Sequence, residues 1–229
     1  MIAIDLLGLT RLLQLASPTL PVGAYSYSQG LESAIDDGIV SNADNAASWI
    51  RDILHFSIGS FEAPLLWRMS GALEANNFPT FARWNGVFRA GRETAELRAE
   101  TLQMGHALSA LMTALPFCDE QDIERLRSAG PLTFPATFSF AAHYMGVNKS
   151  AALVAYLWSW LENQVMAALK AIPLGQSAGQ RMLAALGTEL SEIASRAMQL
   201  GDDELSNFAP GLAIASSRHE TQYSRIFRS

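Results

Sequence analysis

The sequence predicts an all-α fold. Apolar residues recur at helical spacing, and alternation of apolar and polar residues with a period of two is absent over any useful length. Runs of β-branched residues are missing as well. The expected architecture is a single-domain bundle of about ten helices over residues 1–229, with a flexible C-terminal tail at 213–229.

Each element follows from its own signals. Leu6, Leu9 and Leu13, with Leu12 beside them, form the apolar stripe of a first helix, which Pro18 and Pro21 end. Ser26-x-x-Gln29 reads as a capping box for a second helix to about Asp36, and Gly38 supplies the stop. Ser41-x-x-Asp44 opens a third helix, with Trp49, Ile50, Ile53 and Phe56 on its buried side. Pro64 and Pro79 suit the first turns of two more helices, the second carrying Phe81, Trp84 and Phe88.

Glu93–Met112 is rich in strong helix formers. Its apolar side is Leu97, Met104, Leu108 and Leu111. Its polar side carries Arg92, Glu93, Glu96, Arg98 and Glu100, with Glu96 and Glu100 an unfavourable like-charge pair. Asp119 caps a short helix ending near Gly130, and Phe134–Met145 is an aromatic-rich one. Ser150 is the expected cap of a long helix, Ala151–Ala171, broken by Pro173 and Gly175. Ser177-x-x-Gln180 starts a helix to about Leu200, and the last short helix ends near Pro210.

Composition narrows the function classes. With 229 residues, 49% of them hydrophobic, the chain can bury one sizeable core. Only 17% are charged, which argues against extensive disorder and suggests surface covered by partners. The net charge of −6, with Lys149 and Lys170 the only lysines, opposes a nucleic-acid footprint. Cys118 is the only cysteine, which excludes an intrachain disulfide and a four-cysteine zinc site. It also fits a reducing compartment, and a cytoplasmic protein is expected. Met1–Asp5 lacks the basic region of a secretory leader. The most apolar stretch, Ala151–Leu161, is about half the roughly 20 residues of a membrane span.

Four segments carry candidate functional residues. Ser17–Glu32 is stiffened by two prolines and presents Tyr25, Tyr27 and Gln29. It is either a helix connector whose tyrosines cover the core or a rigid recognition loop. Trp158–Met166 reads as core, with polar Glu162, Asn163 and Gln164 either bonding across the bundle or facing water. Ile172–Arg181 offers Gln176, Gln180 and Arg181 at a helix start, without the Gly-Lys-Ser/Thr ending of a phosphate loop. Ala213–Ser229 sets Tyr223, Ile226 and Phe227 beside Arg218, Arg225 and Arg228. That aromatic and arginine composition marks interface hot spots, although such a tail can also fold back on its own bundle.

No catalytic constellation assembles. His55, His106, His143 and His219 lie on separate segments without metal-binding spacing, and no G-x-S-x-G elbow occurs. No catalytic residue, cofactor or stable metal site is therefore expected. A single histidine suits at most a transient nickel contact.

Six segments carry a resemblance over nearly the whole chain. They are Leu15–Glu32 (LASPTLPVGAYSYSQGLE), Arg92–Arg98 (RETAELR), Gln103–Gly105 (QMG), Trp158–Gln164 (WSWLENQ), Pro173–Arg181 (PLGQSAGQR) and Arg218–Ser229 (RHETQYSRIFRS). Together and in this order they resemble the urease accessory protein UreF family. The resemblance implies an all-helical, non-catalytic adaptor that tends to dimerise. It also implies binding to the accessory protein UreD (UreH), recruitment of the GTPase UreG and delivery of nickel to apo-urease. By resemblance, Tyr25, Tyr27, Gln29, Arg181, His219, Tyr223 and Arg225 are expected contacts. Two other roles stay open. One is activation or gating of UreG through an arginine in trans. The other is a watery nickel path past Glu162, Asn163 and Gln164.

Overall fold

The computed structural model describes residues 6–229. Met1–Asp5, read above for a leader signal, lie outside the described residues. Twelve α-helices and no strand occur among those residues: α1 Leu6–Ala16, α2 Leu31–Asp36, α3 Ala43–Ile53, α4 Ala63–Glu74, α5 Phe78–Ala90, α6 Ala95–Ala114, α7 Glu120–Ser128, α8 Phe134–Tyr144, α9 Lys149–Ala171, α10 Gln176–Gly187, α11 Leu190–Gln199 and α12 Pro210–His219.

The hub is α9. It packs against α1, α2, α3, α4, α8, α10 and α11. Its Leu153, Leu157, Leu161 and Val165 are fully buried, the apolar spacing expected of a helix enclosed by neighbours. A second layer forms where α4 and α6 pack on α8. The approach of α6 depends on Gly105, where a Cβ would lie 2.4 Å from the Leu132 carbonyl oxygen.

Several boundaries differ from expectation, each for a local reason. The α3 cap is Asn42 rather than Ser41. Asn42 Oδ1 accepts from the Asp44 and Asn45 amides, and Asn45 Oδ1 accepts from the Ser41 and Asn42 amides. An amide oxygen at both positions outcompetes a serine one residue earlier. In the same way Asn148 displaces Ser150 as the α9 cap, its Oδ1 accepting from the Ser150 and Ala151 amides.

Pro64 lies in the first turn of α4 as expected, but α4 has no free start. From α3 the chain continues through a π-helical stretch, Leu54–Glu62, directly into α4. Pro64 has no N–H to give the Ser60 carbonyl. The Ser206 amide takes that carbonyl at 3.1 Å, and Ser60 Oγ donates back to the Ser206 carbonyl. Ser57 Oγ donates to Asn207 Oδ1 as well, so residues 206–207 clamp the π segment from outside.

The expected Ser177-to-Leu200 helix is two helices. α10 begins at Gln176 without a side-chain cap, and the chain breaks at Thr188–Glu189. Glu189 turns to Arg51 and His55 at 2.9 and 2.7 Å, which ties the break to α3 and the π segment. The leucine stripe of α1 is a further correction. Leu15 is buried, but Leu6, Leu9 and Leu13 remain at the surface. Finally, Pro210 starts α12 instead of marking the end of helical structure.

Candidate partner-contact site

The loop at 17–30 and the C-terminal residues meet on one side of the bundle. Ala24–Ser26 forms a 3-10 turn, and Gln29 and Gly30 both adopt left-handed backbone (φ +53° and +77°) before α2. The Ser26-x-x-Gln29 capping box does not form, because Gln29 is pulled elsewhere. Its Oε1 accepts from Trp160 Nε1 and its Nε2 donates to Glu100 Oε1, both at 2.7 Å. Tyr27 is buried, its hydroxyl donating to Gln103 Oε1. Burial pushes that hydroxyl's pKa up. Gly30 lets α12 come close, since a Cβ there would lie 2.9 Å from the Ser216 amide nitrogen.

The tail at 213–229, expected to be flexible, is docked. Its first part is helical within α12, and residues 225–229 lie along the loop. The Arg228 amide donates to the Ser26 carbonyl, and the Ser229 carbonyl accepts from the Ser28 and Gln29 amides and from Ser28 Oγ. Phe227 is buried, and the Lys170 ammonium sits 5.5 Å from its ring and 5.6 Å from the Tyr25 ring.

Three glutamates receive the tail. Glu32 accepts from the Ile226 and Phe227 amides at 2.6 and 2.9 Å. Glu96 accepts from Arg225 Nη1 and pairs with His219 Nδ1, each at 2.7 Å. Glu100 accepts from Ser229 Oγ at 2.9 Å. His219 is fully buried, its Nε2 3.2 Å from Glu32. Both ring nitrogens thus face carboxylates. Glu96 and Glu100, read above as a costly pair on a polar helix side, are compensated by these tail donors.

The predicted site residues therefore fall into three groups. Tyr25, Arg218, Tyr223, Arg225 and Arg228 reach solvent, Tyr223 completely. Arg218 also pairs with Asp37 at 2.6 Å. Tyr27, Gln29, His219 and Phe227 face inward and hold loop and tail together. Gln176, Gln180 and Arg181 are exposed at the start of α10, and no side-chain hydrogen bond joins them to the other two groups among the described residues. The sequence reading did not single out Ser28, Glu32, Glu96, Glu100 or Lys170 as functional. The i,i+4 spacing of Glu96 and Glu100 was the available signal.

Behind the loop lies a cavity of about 170 Å³. Tyr25, Met166 and Lys170 stand at its mouth, and Glu62, Arg92 and Glu100 line its interior. Arg92 and Glu62 form a buried ion pair at 2.7 Å, and Tyr156 donates to Glu62. Burial lifts the Glu100 carboxyl from 4.5 to about 7, helped by the Glu62 charge and opposed by its hydrogen bonds and Arg92. Glu162 and Asn163 line this space, Asn163 donating to the Tyr27 carbonyl, whereas Gln164 is fully buried elsewhere on α9. No group of three or more His, Cys, Asp or Glu suited to a metal ion occurs among the described residues. No helix there is long and apolar enough to cross a membrane.

Fold and site define an all-helical, single-domain protein whose most organised surface is built from its own loop and C-terminal segment. The UreF family model matches residues 40–187, and the chain belongs to the UreF family. It is 53% identical to the urease accessory protein UreF of Azoarcus sp. (strain BH72), over 98% of this chain and 97% of the relative. It is 48% identical to that of Janthinobacterium sp. (strain Marseille), over 97% and 98%. Identity to that of Dechloromonas aromatica (strain RCB) is 49% over the same shares.

Proposed function

We propose that this chain is a non-catalytic adaptor of urease maturation in the cytoplasm. It binds UreD (UreH) and the GTPase UreG, and it promotes nickel insertion into apo-urease as a chaperone-like accessory protein. The observation that carries this reading is the convergence of loop and tail. Residues about 200 positions apart form one prepared surface, from which Tyr25, Tyr223 and Arg228 project. Low-entropy aromatic and arginine side chains on a fixed backbone are what a hot spot requires. The inward-facing Tyr27, Gln29, His219 and Phe227 then act by holding that surface in shape.

The clean test is Tyr223→Ala, because Tyr223 is fully exposed and its loss leaves the bundle intact. Affinity for UreD should fall at least about tenfold, the range of a hot-spot truncation. Circular dichroism should not change. Unaltered complex assembly would remove the tail's role.

The adaptor is expected to be a homodimer, and the exposed leucine stripe of α1 supports self-association. A second reading makes the chain an activator or gate of UreG. It is favoured by Arg181, exposed on α10 and so able to reach a partner's phosphates. Single-turnover GTP hydrolysis by UreG, with this chain and with its Arg181→Ala variant, separates activation from gating. Equal rates in all cases eliminate both.

A further inference from the structure

Beyond its role as a contact surface, the C-terminal segment has a built-in control. We propose that its docking is proton-linked through Glu100: the segment is held more tightly when Glu100 is neutral than when it is ionised. Glu100 is both a wall of the inner cavity and the seat of Ser229. Its Oε1 accepts from Gln29, and its Oε2 from Ser229 Oγ. The docked Ser229 is itself buried and keeps water from that carboxyl.

Burial and the Glu62 charge favour the neutral form and outweigh the hydrogen bonds from Gln29 and Ser229 and the Arg92 cation, which favour the ionised one. Glu62 on the π segment adds like charge, and the Arg92 cation from the α5–α6 loop is already paired with Glu62. Tyr156 on α9 spends its hydroxyl on Glu62, and Tyr27 on the loop spends its own on Gln103. Arg228 lies near Tyr27. Farther along the tail, His219 and Arg225 are committed to Glu32 and Glu96. A protonated Glu100 loses neither contact. It can donate to Ser229 Oγ, which accepts as readily as it donates, and still accept from Gln29.

Lifting the segment admits water to Glu100 and returns the group toward ordinary carboxylate behaviour. The docked state therefore binds the proton more tightly, and docking weakens as pH rises. With Glu100 at about 7 when docked and lower when released, docking weakens by up to about tenfold between roughly pH 6 and pH 8.

The experiment is amide hydrogen exchange on the full chain, with protection factors for Ile226 and Phe227 at pH 6, 7 and 8. These amides bond to Glu32 only when the segment is docked. Wild-type protection should drop severalfold, up to about tenfold, across the range, stay level in Glu100→Gln, and still drop in His219→Gln. A level wild-type profile overturns the proposal, as does an equal drop in Glu100→Gln. A drop abolished only in His219→Gln assigns the linkage to the imidazole instead and overturns it too. Should circular dichroism show Glu100→Gln unfolded, carboxyl-carbon NMR titration of Glu100 in wild type and Phe227→Asp replaces it. The midpoint should fall by at least about one pH unit when the segment is ejected, and an unmoved midpoint overturns the proposal.

Discussion

Arg92 and Glu62 show how a single residue pair can govern the interior. Both side chains are about 4% exposed, and the guanidinium also lies 4.6 Å from the Phe88 ring. Removing one partner leaves a buried, uncompensated charge. Arg92→Met should therefore lower the unfolding free energy by about 3–5 kcal/mol, read from urea denaturation. The double variant Arg92→Met, Glu62→Gln should recover a good part of that loss, because no lone charge remains. At this scale the sequence was informative about residue type and weak about direction. Tyr25 and Tyr27 sit two positions apart in one loop, yet one is 66% exposed and the other 4%. Nothing local separates them; the difference is made by Gln103 and Asn163, which are distant in sequence. The three glutamates Glu32, Glu96 and Glu100 were not legible as a site for the same reason. Each is an ordinary helical residue until α12 and the tail bring the cations to them.

Among the elements, helices announced by a proline, a cap or a long apolar stripe were legible, and their joins were not. α5, α7, α8 and α9 follow the reading closely, because side-chain caps from Asn77, Asp119 and Asn148 and the fixed φ of the prolines opening α5 and α8 all act locally, although the α9 cap is Asn148 and not Ser150. The joins depend on remote partners. The π segment is clamped by residues 206–207, and the α10–α11 break by Arg51 and His55. Two predictions belong here. Asn42→Ala removes an acceptor shared by two α3 amides and should cost about 1 kcal/mol in urea denaturation. Leu13→Asp on α1 should leave stability within about 0.5 kcal/mol, since Leu13 is 63% exposed. If the α1 stripe joins two copies, the same variant should sediment as a monomer where wild type sediments as a dimer.

For the whole molecule, Glu100 sets a direction for stability against pH. Its carboxyl is near 7 in the folded protein, against 4.5 when unfolded. The folded state therefore holds the proton more tightly. That contribution is fully present below about pH 4.5 and is lost as pH rises through about 7. The rise corresponds to about 3 kcal/mol at most. Glu189 acts in the opposite sense: burial raises its pKa, but the hydrogen bonds and charges of His55 and Arg51 together outweigh burial and lower it. Its contribution is present above the unfolded carboxylate value and disappears in acid. It is a quarter exposed, so solvent screening keeps that contribution small. The two slopes occupy different windows. Between pH 5 and 8 Glu100 dominates, and urea midpoints should decline across that interval. Glu100→Gln should remove most of the decline and keep the loss of stability in acid that both proteins share through Glu189. A wild-type midpoint that rises from pH 5 to 8 would mean that Glu100 is ionised in the folded bundle, with its two hydrogen bonds outweighing its burial.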